Sequence, residues 1–211
     1  ANSLRIVHGG LRYLQTLDIR RARRSILERS AFLRIAPHLV TPLKCTLPSL
    51  PGLKRSRAAL GMGLLLNAGL SADRNRNLDP SRRLPAGGLL SAEALQRLAP
   101  GVRLDGTRGG ACWYDALMLD AERLCLSFVL SARAAGAVAV NHAEVTGFRG
   151  GQRSGGVVGR DTVSGEEFEL RATAVADCRG PWIPQDRDAP SSAAGRTVKA
   201  VNVLLREPGL S

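Results

Sequence analysis

Apolar side chains recur at helical spacing over the first third of the chain. Residues Leu17 to Ile35 predict an amphipathic helix, which ends before Pro37 because the residue preceding a proline avoids the helical region. The polar face of this helix is basic and carries Arg20, Arg21, Arg23 and Arg24. We expect that face to be solvated, with contact to a membrane surface as the alternative. Residues Ala58 to Leu66 predict a second helix, and their almost unbroken apolar character predicts that it is buried.

Shorter elements follow, and local capping signals place most of them. Short strands are predicted at Leu43 to Leu47 and Gly109 to Tyr114, and Ser91 is expected to cap a short helix between them. A long helix is predicted over Ala121 to Ala135, with Asp120 as its N-cap and Gly136 directly after its last turn. The side chains of this helix that are expected to face the core are Leu124, Phe128 and Leu130.

Three strands separated by glycine-containing turns are predicted next, and they indicate an antiparallel meander. They are Glu144 to Arg149, Gly156 to Asp161 and Glu167 to Arg171. Brief apolar strands are predicted on either side of this meander, over Ala137 to Val140 and over Ala172 to Cys178. A helix, a short parallel-type strand, a meander and a returning strand together indicate an open α/β sheet, in which ligands bind at strand ends.

Composition limits the class of protein. With 211 residues, 44% of them hydrophobic, the chain is long enough for one large domain or two small ones with a true core. It has no apolar run long enough to cross a bilayer and no signal-peptide pattern. Its cysteines are scattered without metal-ligand spacing, which predicts reduced thiols in a cytoplasmic protein and no metal site. They are Cys45, Cys112, Cys125 and Cys178.

The net charge of +12, from 30 Lys and Arg against 18 Asp and Glu, favours anionic partners. Nucleic acid is one such partner, but aromatic residues make up only 4% of the chain, so bases would find few stacking platforms. The chain also lacks the signatures of zinc fingers, RNA-recognition motifs and helix-turn-helix proteins. We therefore expect no nucleic-acid binding. An arginine-rich surface without a specific partner is the other interpretation of this charge.

The segment from His8 to Tyr13 reads His-Gly-Gly-Leu-Arg-Tyr and combines two glycines with three side chains that bind ligands well. Glycine allows close approach of backbone to a ligand, and arginine offers a planar fork of donors for phosphate or carboxylate. On spacing alone, two interpretations stay open. The segment is either a tight turn into a helix or part of a binding site.

Several segments, in the same order along the chain, resemble FAD-dependent glycerol-3-phosphate dehydrogenases, within the D-amino-acid-oxidase-like group of flavoproteins. The resemblance covers most of the chain, and its collinearity is more specific than any single motif. The matching segments are Asn2 to Leu14, Ile35 to Leu39, Leu47-Pro48, Leu89 to Ala94, Asp120 to Leu124 and Gly180 to Trp182.

The resemblance implies an α/β fold with α+β character. It would contain a partial FAD-binding Rossmann-like domain, a three-stranded antiparallel meander and the start of a substrate-domain sheet. It also implies that the chain divides into four segments. Residues 1–40 would belong to the FAD domain and carry the flavin- and substrate-contacting residues and the basic helix, and residues 41–110 would lie on the substrate or cap side. Residues 111–184 would return to the FAD domain with its helix, meander and returning strand, and residues 185–211 would start the substrate-domain sheet.

The same resemblance implies roles for particular residues. Arg12 and Tyr13 would bind substrate, and His8 and Arg12 would be catalytic, with His8 polarising the flavin edge or the substrate oxygen. His38 and His142 are expected to be structural. The residues implied to contact FAD are Asn2, Ser3, Leu4, His8, Gly9, Val145, Gly180 and Trp182.

The implied reaction transfers a hydride from a secondary alcohol to N5 of the flavin. The substrate would be glycerol 3-phosphate or a similar anionic 2-hydroxy compound. Electrons would pass to a quinone, and the protein would be cytoplasmic or peripheral on the inner membrane face. No metal is implied.

Two departures from the family pattern affect this interpretation. The chain contains no Gly-x-Gly-x-x-Gly fingerprint, so we expect that it does not bind FAD tightly by itself. Asp177-Cys178-Arg179 stands where the family has small residues before a glycine. The second departure favours an alternative, a catalytically degenerate flavoprotein-like module that binds a partner or an anionic surface through its arginines.

Overall fold

The computed structural model describes residues 4–52, 56–98, 100, 106–151 and 154–180. They divide into two compact units, one up to Leu130 and one from Ser131 onward. The fold is mixed α/β with antiparallel sheets, as the sequence predicts. The division into four segments at residues 40, 110 and 184 stays a prediction.

The first unit contains an antiparallel sheet whose central strand carries all the pairings. Strand β2 pairs along the whole length of β4, from Val40 opposite Met118 to Pro48 opposite Gly110. Strands β1 and β3 share the other edge of β4, opposite residues 116–117 and 110–112. The strands are β1 Ile6–Val7, β2 Val40–Pro48, β3 Gly88–Leu90 and β4 Gly110–Met118. Strand β1 thus directs the His-Gly-Gly segment along the central strand from its Met118 end toward Asp115.

Side-chain caps start most of the helices. Asp18, Ser56, Ser91 and Asp120 each accept a hydrogen bond from the backbone N–H three residues later. The helices are α1 Ile19–Ile35, α2 Arg57–Leu70, α3 Ala92–Leu98 and α4 Ala121–Ala134, with 3-10 turns at Leu11–Thr16 and Pro80–Arg82. The predicted caps Ser91 and Asp120 are confirmed. Gly136 follows α4 with φ +95°, as expected for the residue after a helix.

Helix α1 contributes its apolar face to the core of the first unit. Its residue Leu33 packs with side chains of the α1–β2 connection, the central strand and the start of α4. The buried members of this cluster are Leu33, Ala36, Leu39, Val40, Leu78, Leu84, Ala116 and Leu124. The predicted end of α1 before Pro37 is confirmed, because the helix stops at Ile35.

The second unit contains the predicted meander. Strands β5 Ala143–Gly151, β6 Ser154–Asp161 and β7 Glu167–Ala172 pair antiparallel in chain order. Between Val145 and Gly147 the register shifts by one residue, so Thr146 forms a β-bulge in β5. The meander prediction is confirmed, with each strand slightly longer than expected.

Two predicted strands beside the meander are wrong. Residues 137–140 have no strand conformation, and β7 ends at Ala172, so residues 173–178 do not continue it. Both segments are apolar, but a strand needs a neighbour to satisfy its backbone groups. Neither segment has such a neighbour among the described residues, and Val138 is 89% exposed.

Two burial predictions are also wrong. In α2 only Leu64 is buried, whereas Met62 and Leu65 are exposed. In α4 only Leu124 reaches the core, and Phe128 and Leu130 are exposed. Phe128 instead meets Phe32 edge to face at the surface, with ring centroids 5.6 Å apart. An apolar sequence shows that a face can be buried, but not which neighbour covers it.

Candidate functional site

The two glycines of the His-Gly-Gly segment lie against helix α1. Both are buried, and a Cβ at Gly9 would stand inside the guanidinium group of Arg29. Gly10 has φ +77°, and a Cβ there would meet Ala22 backbone atoms and the Ser25 Cβ at 2.9 Å. On its α1 side, the segment is therefore a close helix contact, as the turn interpretation expects.

A buried carboxylate holds this segment to the central strand. The Asp115 Oδ1 atom accepts a hydrogen bond of 2.6 Å from the N–H of Gly9 and lies 3.2 Å from Nη1 of Arg29. The other oxygen, Oδ2, accepts a hydrogen bond of 2.9 Å from the indole Nε1 of Trp113. The Sγ atom of Cys45 lies 3.9 Å from the same oxygen. Four segments thus meet at one side chain.

The cation of this cluster is almost as buried as a core leucine. Arg29 is 2% exposed and Asp115 is 6% exposed. Besides the carboxylate, Nη1 of Arg29 donates a hydrogen bond to the carbonyl oxygen of Tyr114 at 2.5 Å. Burial lowers the pKa of Arg29, and the Asp115 charge opposes that effect. The guanidinium stays charged at neutral pH because arginine starts from a very high pKa.

Cys45 is not a nucleophile in this arrangement. Burial, followed by the neighbouring charge of Asp115, raises the pKa of the Cys45 thiol to about 11. A thiol with this pKa stays protonated at neutral pH, and only the thiolate is reactive. Cys45 therefore acts as a packed neighbour and weak donor to the carboxylate.

Of the predicted catalytic and substrate-binding side chains, His8 and Tyr13 are in contact in the first unit. The rings of His8 and Tyr13 meet edge to face with centroids 5.6 Å apart, and the guanidinium of Arg21 lies 5.2 Å from the Tyr13 ring centre. Arg21 is held in turn by Asp18 at 3.3 Å. Arg12 is exposed and makes no hydrogen bond or ion pair within the described residues. His8 and Tyr13 are therefore in contact, whereas Arg12 is placed next to Tyr13 only by the sequence, and the Tyr13 neighbour Arg21 was not predicted.

Two predicted cofactor-contacting residues, Val145 and Gly180, lie in the described part of the second unit. Val145 is partly exposed and borders the Thr146 bulge, where the ladder of hydrogen bonds is interrupted. Gly180 has φ +63°, and no atom of the described residues lies within 4 Å of the position that a Cβ would occupy. A ligand can therefore approach the backbone of Gly180 closely on that side.

The remaining predicted contacts are only partly described. Leu4 is half-exposed. Asn2, Ser3, Trp182 and the expected substrate-domain segment 185–211 lie outside the described residues. Within the described ranges, no group of three or more His, Cys, Asp or Glu side chains is placed to hold a metal ion. No described helix is long and apolar enough to span a membrane.

Asp177 and Arg179, which depart from the family pattern, neutralise each other. Their side chains form a two-point ion pair, with Nε of Arg179 3.0 Å from Oδ1 and Nη2 2.7 Å from Oδ2 of Asp177. The Arg179 guanidinium holds the pKa of the Asp177 carboxyl below its ordinary value. The pair thus adds no net charge beside Gly180.

Sequence reasoning missed the Arg29–Asp115 cluster, although each partner carries a signal. Arg29 occupies a position that the helical repeat reserves for an apolar residue, three after Ile26 and four before Leu33. Asp115 interrupts the apolar stretch from Ala111 to Met118. A charge of each sign at two predicted core positions indicates a buried pair.

Comparison with known proteins gives the family. The sequence model of the DAO family, described as FAD dependent oxidoreductase, matches residues 1–209. A glycerol-3-phosphate dehydrogenase of Synechocystis sp. is 34% identical over 187 residues, which cover 87% of this chain and 32% of that protein. An aerobic glycerol-3-phosphate dehydrogenase of Staphylococcus saprophyticus is 26% identical over 210 residues, covering 97% and 36%. The chain thus spans about a third of the length of these relatives.

A solved structure shows the same fold. The glycerol-3-phosphate dehydrogenase of Bacillus halodurans, complexed with FAD, superposes with a TM-score of 0.50 at 24% sequence identity. The similarity covers 87% of this chain and 27% of that one. The family match over nearly the whole chain confirms the resemblance seen in the sequence: the chain belongs to the DAO family of FAD-dependent oxidoreductases.

Proposed function

We propose that the full-length gene product is an FAD-dependent dehydrogenase that oxidises glycerol 3-phosphate or a similar anionic 2-hydroxy compound. The observation that carries this proposal is the contact between His8 and Tyr13, with an exposed Arg12 in the same segment, which the buried Asp115 holds at Gly9. The names and the identity of the dehydrogenase relatives support the substrate class.

The described residues fit a contribution to an FAD site. No described residue fills the side of Gly180 where a Cβ would stand, which would allow a pyrophosphate to approach closely. The register shift beside Val145 interrupts the strand ladder, and the adenine end would contact the backbone there. The N–H of Gly9 donates to Asp115, and the side of Gly9 that faces α1 is filled by Arg29. A contact between Gly9 and the flavin would therefore involve other atoms of Gly9, on the side away from α1. FAD, when bound, would supply the acceptor for the hydride of the alcohol.

The side chains of the first unit would bind and orient the substrate. Arg12 is exposed and has no hydrogen-bond or ion-pair partner among the described residues, so its charge would be available to a phosphate or carboxylate group. The imidazole of His8 would accept the proton of the substrate hydroxyl or polarise its oxygen. Tyr13 keeps the His8 ring in place through their edge-to-face contact, and Arg21 lies near the Tyr13 ring. The proposal includes a quinone at a membrane surface, which would accept the electrons from the reduced flavin.

A second candidate function is a module that binds an anionic surface without chemistry. Exposed arginines without a partner in the described part of the chain favour it: Arg12, Arg20, Arg24 and Arg34. In this alternative Arg12 and Arg24 would contribute similarly, because both act only through charge. In the dehydrogenase, only Arg12 would contact the substrate.

Arg12→Ala is expected to raise the KM of the full-length gene product for glycerol 3-phosphate by about 10- to 100-fold, because a charge-assisted hydrogen bond contributes roughly 1.5–3 kcal/mol. Steady-state kinetics with an artificial electron acceptor measures this effect. Arg24→Ala is the matched control and is expected to leave kcat and KM unchanged. Equal effects of the two substitutions on binding to anionic lipid vesicles, without any dehydrogenase activity to lose, would instead support the second candidate.

A further inference from the structure

We propose that Arg29 and Asp115 are positioning residues, which fix the backbone of the His8–Gly9 segment and thereby the direction of the His8 side chain. The inference rests on the proposed function only where it concerns catalysis. The two residues are separated by 86 positions in the sequence, and neither is among the residues that the resemblance implies for the site.

The Asp115 carboxylate is held from both sides, so its orientation is defined. Gly9 and Arg29 approach Oδ1, while Trp113 and Cys45 approach Oδ2. Both carboxylate oxygens accept from described side-chain or backbone donors, and the side chain is buried. A carboxylate whose acceptor positions are occupied in this way is a poor general base for a substrate, so we assign it a positioning role.

Arg29 and Asp115 contact the candidate site through Gly9, the residue after His8. The N–H of Gly9 donates to Asp115 at 2.6 Å, and Arg29 occupies the place of the side chain that Gly9 lacks. Strand β1 contributes only Ile6 and Val7 to the sheet, so the ladder ends just before His8. Beyond that end, the hydrogen bond to Asp115 ties the chain to β4. Loss of this acceptor is therefore expected to free the His8 backbone without unfolding the sheet.

Two double variants separate the effect of the hydrogen-bond acceptor at position 115 from the effect of the buried ion pair. Arg29→Met/Asp115→Asn and Arg29→Met/Asp115→Leu both remove the buried ion pair, but only asparagine keeps an oxygen that can accept from Gly9. The pair Arg23–Asp73 is the control, because it joins α1 to a distant segment at 2.6 Å in an exposed position. The corresponding control variant is Arg23→Met/Asp73→Leu.

The readouts are hydrogen exchange of the Gly9 amide and the kinetics of the FAD-loaded full-length gene product. In the leucine variant, Gly9 is expected to exchange about 10 to 100 times faster than in the asparagine variant, because an unsatisfied buried donor favours local opening. The kcat for glycerol 3-phosphate is expected to fall by about the same factor, whereas KM changes by less than about threefold, because Arg12 is untouched. The control variant is expected to match the wild type in both readouts.

Equal Gly9 exchange in the two double variants would overturn the proposal, and so would unequal exchange with equal kcat. If the wild-type gene product oxidises no alcohol, the proposed function fails, while exchange still decides whether Asp115 holds Gly9. If the leucine variant does not fold, Trp113→Phe gives the second test, because it removes a donor to Oδ2 and leaves Gly9 and Arg29 intact. We expect it to speed Gly9 exchange by about two- to tenfold, and unchanged exchange would contradict the proposal.

Discussion

Replacing Arg29 by methionine is expected to lower the free energy of unfolding of the first unit by about 3–5 kcal/mol, which is the usual cost of leaving one partner of a buried ion pair without the other. Asp115 would remain 6% exposed with no cation beside it. Urea denaturation followed by Trp113 fluorescence, in a Trp182→Phe background, measures this change. Trp113 is a suitable reporter because its indole contacts Asp115 directly.

Arg23→Met is the matched control for this prediction. Arg23 lies on the same helix and also forms an ion pair, with Asp73, but both partners are more than a third exposed. Its loss is expected to cost about 0–1 kcal/mol, because solvent screens exposed charges. A loss of similar size for Arg29→Met would show that the Arg29–Asp115 pair does not stabilise the first unit.

Gly10→Ala is expected to destabilise the first unit by about 2–5 kcal/mol. About 1–2 kcal/mol comes from placing a Cβ at a left-handed position, and about 1–3 kcal/mol from overpacking against α1. The new Cβ would contact Ala22 backbone and Ser25 at 2.9 Å, and a backbone neighbour can yield only if the helix shifts. Thermal or urea denaturation of the two proteins gives the difference.

Gly106→Ala separates the two contributions to this cost. Gly106 has φ +75°, close to the +77° of Gly10, but no atom of the described residues lies within 4 Å of its Cβ position. It is therefore expected to lose only the backbone contribution, about 1–2 kcal/mol. Equal losses at Gly10 and Gly106 would contradict the close packing of the His-Gly-Gly segment against α1.

Elements with local signals were predictable from the sequence. Helix α1 follows from its apolar repeat and from Pro37, and α4 from Asp120 and Gly136, because caps and breakers act within a few residues. The meander follows from turns that contain glycine. The family was also predictable, because its motifs occur in order along the chain.

Features set by distant partners were not predictable in this way. Strand β4 continues past Tyr114 to Met118 because it pairs with β2 along nine positions, and the local sequence does not reveal that length. The apolar residues of α2 indicate burial, but only Leu64 is covered. Arg29 and Asp115 were missed because each charge can be buried only when the other pairs with it, and 86 positions separate them in the sequence.

The two interpretations of the His-Gly-Gly segment describe its two sides. Gly9 and Gly10 pack against α1, as expected for a turn, whereas His8, Arg12 and Tyr13 are accessible from solvent. A segment whose backbone is fixed against a helix and whose side chains are accessible to solvent is suited to hold those side chains against a ligand. The stability predictions test its buried side, and the kinetics of Arg12→Ala test its exposed side.

Anaerobic addition of glycerol 3-phosphate to the FAD-loaded full-length gene product tests the central proposal most directly. If the gene product is a dehydrogenase of this substrate class, the absorbance of the oxidised flavin is expected to bleach fully, and Arg12→Ala to shift the required substrate concentration upward by about 10- to 100-fold. A gene product that binds FAD stoichiometrically and stays oxidised at saturating glycerol 3-phosphate, or that takes up no FAD, would contradict it.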